Sequence, residues 1–364
     1  MTSPLRVLLN ASAVPRQPAG AGIYTLELAR ALAQWRDVEV TVAAPGIEVE
    51  GTRRVLSPRN GPLVRSLWEQ TRMPRLLREV DVYHGAHFSV PLRAGVGRVA
   101  TVHDLTFYRL PRRYAAHRRW YYRGLAQLSR RADRVIVPSG VVASDVVRFL
   151  GYPPERIRVV PEAARSGLCR AGEPEVAALC SRLGVEPGYL LCLGTAEPGK
   201  RAVDAIRAIA LLRTSGEPHQ LVLAGNEGRL SDVLRREAAR LGVEHNVRFV
   251  GYVAETDLAA LYTGALALVF PSLYEGFGLP PLEALACGTP VIATKRPAMT
   301  EVLADGALFV PAHDPKAIAA QVARLAADAA WREEWSQRGK DVHQHYSWTR
   351  AAEETVEVYR EVAR

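Results

Sequence analysis

Short, continuously apolar runs alternate with helical patterns along the whole chain, and this alternation limits the fold more than any other feature. Most runs lack the apolar–polar alternation of a strand that has one face in water. Continuously apolar strands are typical of parallel sheets that helices cover on both faces. The predicted strands are 6–11, 38–43, 81–85, 98–102, 134–138, 157–160, 189–193, 220–224, 247–250, 265–270, 290–293 and 307–310.

The strands form two sets, which predicts two doubly wound α/β domains. A chain of 364 residues is also too long for one ordinary hydrophobic core. Glycines and prolines concentrate at 161–188, so we predict domains at 1–165 and 166–346. A final helix is predicted at about 347–364, capped by Ser347 and carrying acidic charge near its start. Ligands of such sheets bind at the carboxyl ends of the strands, so we expect a cleft between the domains.

Composition excludes several classes of protein. Apolar residues make up 48% of the chain and charged residues 23%, a balance that disordered chains do not have. No stretch approaches the roughly 20 apolar residues of a membrane span. The cysteines have no metal-ligand spacing and are predicted to be reduced thiols of a cytoplasmic protein. They are Cys169, Cys180, Cys192 and Cys287.

Positive charge is concentrated in the first half of the chain. Residues 1–165 contain 26 Arg, no Lys and 13 acidic residues, and residues 107–134 contain nine Arg against one acid, Asp133. Such a patch attracts phosphates, nucleic acid or an anionic membrane. A solvated helix face is the alternative interpretation, and the pattern leaves both open.

The most informative segment, 270–294, joins a strand end, a loop with Gly276 and Gly278, and a helix that begins near Pro280. Glu275 lies in the loop, and Glu283 is predicted to lie in the first turn of the helix. We therefore expect both carboxylates above the sheet, near the free N–H groups of the helix. Carboxylates suit sugar hydroxyls, and a helix N-terminus suits an anionic diphosphate. Alternatively, Glu283 only stabilises the helix start and the glycines only shape a turn.

Residues 275–283 resemble the E-x7-E motif of retaining glycosyltransferases of the family-four type, and residues 284–293 continue the resemblance. The resemblance implies the GT-B fold, with two Rossmann-like domains facing a central cleft and a C-terminal helix that returns to the first domain. It implies an acceptor-binding first domain and a donor-binding second domain. It also implies that Glu275 contacts the donor hexose and that Glu283 holds the nucleotide ribose. The backbone at Gly276, Phe277, Gly278 and Leu279 would lie against the sugar and diphosphate.

Residues 194–201 nearly match the phosphate-binding pattern G-x-x-x-x-G-K-[ST]. Arg201 replaces the hydroxyl residue that would hold Mg²⁺, which argues against an NTPase. The family usually has an Arg-Lys pair here that grips the diphosphate. Lys200 matches the lysine, Gly199 stands where the arginine is usual, and Arg201 is expected to supply the missing charge. A solvated helix start is the alternative for Lys200 and Arg201.

His103 follows the predicted strand 98–102 and is expected to point into the cleft. The resemblance implies a histidine near the donor sugar and acceptor, so the predicted catalytic residues are His103, Lys200 and Glu275. Asp104 would orient the imidazole ring or cap the following turn. The predicted acceptor or phosphate site comprises Gly20, Ala21, Gly22, Tyr24, His84, His87 and Asp104.

The nucleotide base is expected near Gly225, Asn226, Tyr252 and Val253, in loops after strands. A metal site at His84, His87 and His103 has no supporting spacing, and no D-x-D pair occurs in the chain. The sequence therefore predicts no bound metal or cofactor, with Lys, Arg and a helix terminus neutralising the diphosphate.

Taken with the resemblance, these features predict a metal-independent, retaining hexosyltransferase. Its donor is a nucleotide diphosphate sugar, with GDP-mannose favoured and a UDP- or dTDP-sugar open. Its acceptor is a glycan or a lipid-linked molecule, met in the cytoplasm or at the inner face of an anionic membrane. A GT-B epimerase or phosphorylase is one alternative. A basic nucleic-acid or membrane-surface binding protein is another, but RNA-binding signatures are missing and no nucleic-acid partner is predicted.

Overall fold

The computed structural model describes residues 3–58, 61–226, 228 and 230–363, and the chain divides into two compact domains. The first domain comprises Met1–Ala163 and Tyr346–Arg364, and the second comprises Ala164–His345. Each domain is built on its own parallel sheet.

The sheet of the first domain has seven parallel strands in the order β3-β2-β1-β4-β5-β6-β7. They are β1 (Leu5–Asn10), β2 (Val38–Ala44), β3 (Arg53–Leu56), β4 (Val82–Gly85), β5 (Gly97–Thr101), β6 (Arg134–Val137) and β7 (Ile157–Val159). The strand order reverses between β1 and β4, where Val7 pairs with Val82. Such a reversal opens a crevice at the carboxyl ends of the two strands.

Helices cover both faces of this sheet, as its buried strands require. They are α1 (Ala21–Ala33), α2 (Pro62–Thr71), α3 (Met73–Leu76), α4 (Thr106–Arg109), α5 (Ala116–Ser129) and α6 (Gly140–Leu150), and the C-terminal helix α15 (Trp348–Val362) joins them. Val7 and Leu9 of β1 pack with α1 and α15, whereas Leu8 belongs to the core on the opposite face.

The C-terminal helix returns to the first domain, as predicted. The Ser347 side chain accepts a hydrogen bond from the Arg350 N–H and caps the helix. Trp348, Val356 and Tyr359 are buried against the sheet. No acidic residue lies in the first turn of the helix. The acidic side chains predicted near its start therefore begin about one turn further along the helix.

The second domain has six parallel strands in the order β10-β9-β8-β11-β12-β13. They are β8 (Tyr189–Leu193), β9 (Leu221–Ala224), β10 (Val247–Gly251), β11 (Ala265–Phe270), β12 (Val291–Thr294) and β13 (Leu308–Val310). The helices are α7 (Glu173–Leu183), α8 (Ala202–Thr214), α9 (Ser231–Arg240), α10 (Leu258–Thr263), α11 (Leu279–Ala286), α12 (Pro297–Leu303), α13 (Pro315–Ala327) and α14 (Ala329–His343). Here the order reverses between β8 and β11.

The predicted fold class, with two Rossmann-like α/β domains, is confirmed, with three local corrections. Strand β3 was not predicted, because Arg53 and Arg54 give this exposed edge strand no apolar run. Helix α1 begins at Ala21, so Gly22 and Tyr24, expected in the acceptor or phosphate site, lie inside a helix. Helix α11 begins at Leu279, which places Glu283 in its second turn. Among the described helices, none has the length and apolar character needed to cross a membrane.

Candidate active site

A partly open pocket lies at the carboxyl ends of β8, β9, β10 and β11 in the second domain. Open α/β sheets bind ligands at this edge, beside the point where the strand order reverses. Its lining is mostly apolar, and the polar side chains include Thr195, Lys200, Asn226 and Ser272. We call this cavity the strand-end pocket.

Lys200 and Glu275, predicted from separate motifs, are in direct contact. The Lys200 Nζ donates a hydrogen bond of 2.7 Å to Glu275 Oε1 and lies 5.3 Å from the centre of the Phe270 ring. The Gly199 carbonyl accepts a hydrogen bond from the Leu273 N–H, so the loops after β8 and β11 are also joined through their backbones. The structure thus brings a cation and a carboxylate together at the rim of the strand-end pocket.

Close backbone packing shapes the other side of this pocket. Gly225 has a φ of +126°, and a Cβ there would lie 2.5 Å from the Gly194 carbonyl oxygen. Asn226 is among the residues that line the pocket. Tyr252 and Val253 are not among its lining residues, and Tyr252 is 39% exposed. Their predicted contact with the base therefore has no support in this arrangement.

The loop 276–279 leads into α11 through a left-handed glycine. Gly278 has a φ of +100°, and a Cβ there would lie 2.6 Å from the Met299 Cε. Phe277 and Leu279 are buried on either side of it. Glycine adopts this conformation without strain. It lets the chain turn into α11 at Leu279, only a few residues after Glu275.

Glu283 is placed differently from the prediction. It is 1% exposed and accepts hydrogen bonds from the Arg165 guanidinium (2.6 Å) and the Tyr262 hydroxyl (2.7 Å). Burial raises the pKa of its carboxyl, and the Arg165 charge opposes that shift. A position in the second turn of α11 explains why Glu283 meets these side chains rather than the free N–H groups of the helix.

Arg201 is also engaged within the protein. Its guanidinium donates to both carboxylate oxygens of Asp204, at 2.6 and 2.9 Å. Asp204 is buried at the start of α8, and Arg201 itself adopts a left-handed φ of +54°. The expected supply of the family's arginine charge by Arg201 stays a prediction, and in this arrangement its guanidinium is paired with Asp204.

In the first domain, both ring nitrogens of His103 face acceptor oxygens. Nδ1 lies 3.0 Å from Glu162 Oε1, and Nε2 lies 2.8 Å from the Ala86 carbonyl oxygen. A neutral imidazole has only one N–H. Both contacts are hydrogen bonds only if a second proton lies on the other ring nitrogen or on the Glu162 carboxyl. Asp104 does not orient the ring, because its carboxylate accepts from the Thr106 N–H and caps a turn. Glu162, which directly follows Pro161 after β7, was not predicted.

His84 and Tyr24 lie in the core of the first domain, not at an open strand end. His84 is fully buried, with ring nitrogens 2.7 Å from the Tyr359 hydroxyl and 2.7 Å from the Thr101 hydroxyl. Burial lowers its pKa to about 3. The Tyr24 hydroxyl lies 3.0 Å from the same Thr101 oxygen. Their predicted role in an acceptor or phosphate site is wrong, because a ligand would have to enter this closed network.

The other residues of that predicted site have different surroundings. Gly20 precedes α1 with a φ of +48°, and Ala21 and Gly22 form the first turn of the helix. The ring centre of His87 lies 6.2 Å from that of His103. Desolvation and the charges of His103 and Arg65 lower the pKa of His87 to about 4. Among the described residues, no three His, Cys, Asp or Glu side chains converge as metal ligands would.

Two family models together cover most of the chain. The model of Glycosyltransferase Family 4 matches residues 18–164, and the model of Glycosyl transferases group 1 matches residues 181–342. A D-inositol 3-phosphate glycosyltransferase of Salinispora arenicola is 30% identical over 94% of this chain and 87% of its own length. The chain belongs to the family-four glycosyltransferases. It is therefore a glycosyltransferase that takes its sugar from a nucleotide sugar.

Further similarities cover nearly the whole length of this glycosyltransferase. The O-antigen chain mannosyltransferase B of Escherichia coli is 29% identical over 98% of the chain and 100% of its own. The structure of HepE from Anabaena in complex with UDP-glucose gives a TM-score of 0.80 at 18% identity, covering 98% and 100% of the two chains. WaaG, a glycosyltransferase of lipopolysaccharide biosynthesis, gives 0.77 at 16% identity, covering 97% and 99%. Because both sequence identities are low, the similarity to these two structures shows only that the chain has the GT-B fold.

Proposed function

We propose that this glycosyltransferase is a retaining, metal-independent hexosyltransferase that moves a mannose-type sugar from a nucleotide diphosphate to a glycan or lipid-linked acceptor. The second domain binds the donor and the first domain binds the acceptor. The contact between Lys200 and Glu275 at the strand-end pocket carries the proposal. The full-length similarity to an O-antigen chain mannosyltransferase supports the mannose-type sugar.

The proposed chemistry separates two charges. When the bond between sugar C1 and phosphate breaks, negative charge develops on the diphosphate and positive character on the sugar. Lys200 and the N-terminus of α11 stabilise the diphosphate. One well-placed hydrogen-bond donor lowers the activation free energy by about 3 kcal/mol. Glu275 positions the hexose hydroxyls and favours the developing cation. Glu275 holds Lys200 in position before the nucleotide sugar arrives, so the Lys200 side chain needs little reorganisation when the nucleotide sugar binds.

The donor is proposed to be GDP-mannose and is tested by thermal shift with GDP-mannose, UDP-glucose, dTDP-rhamnose and ADP-glucose. A donor at a hundredfold excess over its Kd stabilises the protein by about 2.7 kcal/mol. The largest shift is expected with GDP-mannose, and a larger shift with another nucleotide would reassign the base. No shift with any nucleotide sugar would contradict donor binding at the strand-end pocket.

Stereochemistry and metal dependence are tested on the transfer product. The product should have the anomeric configuration of the donor by proton NMR, and transfer should be unchanged by EDTA. An inverted product or complete loss of transfer with EDTA would overturn those parts of the proposal. Epimerised donor formed without an acceptor would instead indicate a GT-B epimerase.

Peripheral contact with an anionic membrane is proposed for the first domain. Helix α2 exposes Leu63 (77%), Val64 and Leu67 (65%), and the neighbouring α5 exposes Trp120 (66%). The Tyr121 hydroxyl of α5 donates to the Pro62 carbonyl, so the two helices adjoin. Exposed arginines on and near these helices include Arg72, Arg75 and Arg118. Apolar side chains surrounded by cations match the interface of an anionic bilayer.

Membrane contact is tested by co-sedimentation with phosphatidylcholine vesicles that contain or lack phosphatidylglycerol. Binding is expected only with phosphatidylglycerol, and the double substitution Leu63→Ser/Leu67→Ser should weaken it about tenfold or more. The matched control is Leu211→Ser/Val233→Ser, which removes exposed apolar side chains from the second domain. No binding at low salt, or equal loss in both variants, would overturn the proposal. Self-association lost with Leu63 and Leu67 would assign this face to a second copy.

A further inference from the structure

A large open cleft lies at the amino-terminal edge of the second domain's sheet, opposite the strand-end pocket. Its volume is about 880 Å³, within the range of about 300–1,000 Å³ that small-molecule sites occupy. Gly188, Ala265 and Pro290 line it, and they lie at the starts of β8, β11 and β12. Among the described residues, the two cavities have no lining residue in common. We call this second cavity the strand-start cleft.

The walls of the strand-start cleft carry two cations and two anions. Arg170 and Glu173 belong to the segment that leads into α7, and Arg332 and Glu333 belong to α14. The Arg332 guanidinium is held in place by a hydrogen bond of 3.0 Å to the Leu325 carbonyl. In the part of the chain that the structure describes, no ion pair engages any of these four charged side chains. Their charges balance, and all four remain available to a ligand.

The floor between these walls combines apolar surface with hydroxyl groups. Val176 contributes apolar surface and is 8% exposed. The Thr289 hydroxyl donates a hydrogen bond of 2.7 Å to the Tyr262 carbonyl. The Ser336 hydroxyl donates one of 2.7 Å to the Gly288 carbonyl. Each hydroxyl oxygen keeps a lone pair with which it can accept a further hydrogen bond.

This lining argues against several classes of ligand. Protein interfaces are enriched in Tyr, Trp, Phe and Met, and no such residue lines the cleft among those that the structure describes. A lipid tail would bury charged side chains on both walls without partners, which is costly. For a nucleotide or another anion, the two carboxylates offset the attraction of the two guanidinium groups. A neutral ligand that is rich in hydrogen-bond donors and acceptors meets none of these penalties.

We propose that the strand-start cleft binds a neutral stretch of the glycan that the enzyme extends, away from the sugar that receives the transferred residue. This inference rests on the proposed function. Sugar hydroxyls donate to carboxylates, here Glu173 and Glu333, and accept from guanidinium groups, here Arg170 and Arg332. The C–H groups of the sugar rings pack on the apolar floor.

The position of the cleft determines which part of the glycan it holds. The strand-start cleft and the strand-end pocket lie at opposite ends of β11, whose six residues span about 20 Å. One sugar cannot occupy both, so the cleft holds sugars that are several residues away from the donor. A second attachment of this kind raises the effective concentration of a long acceptor at the enzyme. Short acceptors gain nothing from it.

The test locates bound sugar on the full-length protein with a nitroxide at Cys169. This cysteine is exposed and adjoins Arg170 in the chain, whereas the other three cysteines are buried. The probes are three neutral trisaccharides, namely mannotriose, maltotriose and chitotriose. The protons of at least one trisaccharide should relax faster in the presence of the labelled protein. Cys169→Ser, treated with the same reagent, should leave their relaxation unchanged.

A bulky side chain in the cleft should displace the trisaccharide. Ala177→Trp places an indole ring in the cleft from the exposed surface of α7, and binding is expected to weaken at least tenfold. Ala178→Trp is the matched control, because Ala178 is also exposed on α7 but does not line the cleft. It should change binding less than twofold.

Single charges can be removed in matched pairs. Arg170→Gln and Glu333→Gln each remove one charge from the cleft and should weaken trisaccharide binding at least threefold. Arg338→Gln and Glu334→Gln remove the same charges from an ion pair on the exposed face of α14 and should have no effect. All four side chains are exposed, so the fold should survive each substitution.

The outcomes separate this inference from the proposed function. A wild type that binds a nucleotide sugar in thermal shift, but relaxes no trisaccharide near the nitroxide, would overturn the inference alone. Equal loss of binding in Ala177→Trp and Ala178→Trp would overturn it as well. Self-association that is lost in Ala177→Trp, without any trisaccharide binding, would assign the cleft to a second copy of the chain. Failure of every nucleotide sugar to bind would instead contradict the proposed function.

Discussion

The Lys200 ammonium lies 2.7 Å from the Glu275 carboxylate, joining two loops that follow neighbouring strands of the second domain. The side chains come from positions 75 residues apart and are both partly exposed at the strand-end pocket. An ion pair in this position keeps each charge oriented before a ligand binds. The same contact means that neither residue acts independently of the other.

Removing either member of this pair should abolish most of the transfer activity. Lys200→Ala and Glu275→Ala are each expected to lower kcat/KM by about two orders of magnitude, because each loses a group aimed at charge that develops in the transition state. The double variant should lose less than the product of the two single effects, because the side chains are in contact. Steady-state transfer kinetics with each variant measure this.

Arg207→Ala is the control for this experiment, because Arg207 pairs with Glu237 on the surface of the same domain. Its activity should stay within twofold of the wild type. Near wild-type turnover in both Lys200→Ala and Glu275→Ala would remove these residues from the mechanism. Full additivity in the double variant would show that they act separately.

Buried strands made the fold predictable from the sequence. Parallel strands covered on both faces need continuous apolar runs, and β8 and β11 occur at their predicted bounds. Strand β3 escaped prediction because this edge strand is exposed at both Arg53 and Arg54, which point to opposite faces, and so has no apolar run. Helix starts were less predictable: α1 begins directly after Gly20, whose positive φ is not visible in a pattern of side chains.

The site was only partly predictable, because its partners are distant in the sequence. Motifs identified Lys200 and Glu275 but not Glu162, Arg165 or Tyr262, which act through tertiary contacts with His103 and Glu283. No local pattern indicates such contacts. The pairing of Arg201 with Asp204 was visible in principle, since residues three apart at a helix start are neighbours.

Substituting Gly278 should destabilise the second domain. Gly278→Ala is expected to cost more than about 1 kcal/mol, because alanine is strained at a φ of +100° and its Cβ would contact the Met299 Cε. Met299 is itself buried, so Met299→Ala should destabilise the domain on its own. In that background Gly278→Ala should cost less than in the wild type, because the contact is gone and only the backbone strain remains. Urea unfolding followed through Trp331 and Trp335 measures the effect in this domain. Gly124→Ala, which meets no neighbouring atom on α5, is the control and should not destabilise.

Glu162 should act on transfer by orienting His103. Glu162→Ala leaves Nδ1 of His103 without its carboxylate partner, so the ring loses a contact that orients it. Transfer is expected to fall about tenfold or more, as for other groups that orient a functional histidine. Nitrogen-15 imidazole NMR should show a changed tautomer or exchange at His103. Glu79→Gln changes an exposed acid of the same domain and should alter neither the activity nor that spectrum. An unchanged spectrum in Glu162→Ala would contradict the orienting role.

Buried His84 should make the first domain sensitive to acid. Its pKa is about 3 in the folded protein, against about 6.5 in an unfolded chain. Between these values the unfolded chain binds a proton that the folded chain does not, so the free energy of unfolding falls as pH falls. The expected loss is about 1.4 kcal/mol per pH unit from this group, beginning near pH 6.5 and ending near pH 3.

Urea unfolding at pH 7, 6, 5 and 4 measures this loss in a background where Trp331 and Trp335 are replaced by phenylalanine, so that fluorescence reports the first domain. His84→Asn should flatten the pH dependence by about 1.4 kcal/mol per unit, although it lowers stability at pH 7 by breaking the contacts to Thr101 and Tyr359. His117→Asn changes an exposed histidine and should leave the slope unchanged. Equal slopes in the wild type and His84→Asn would mean that the pKa of His84 is the same in the folded and the unfolded chain.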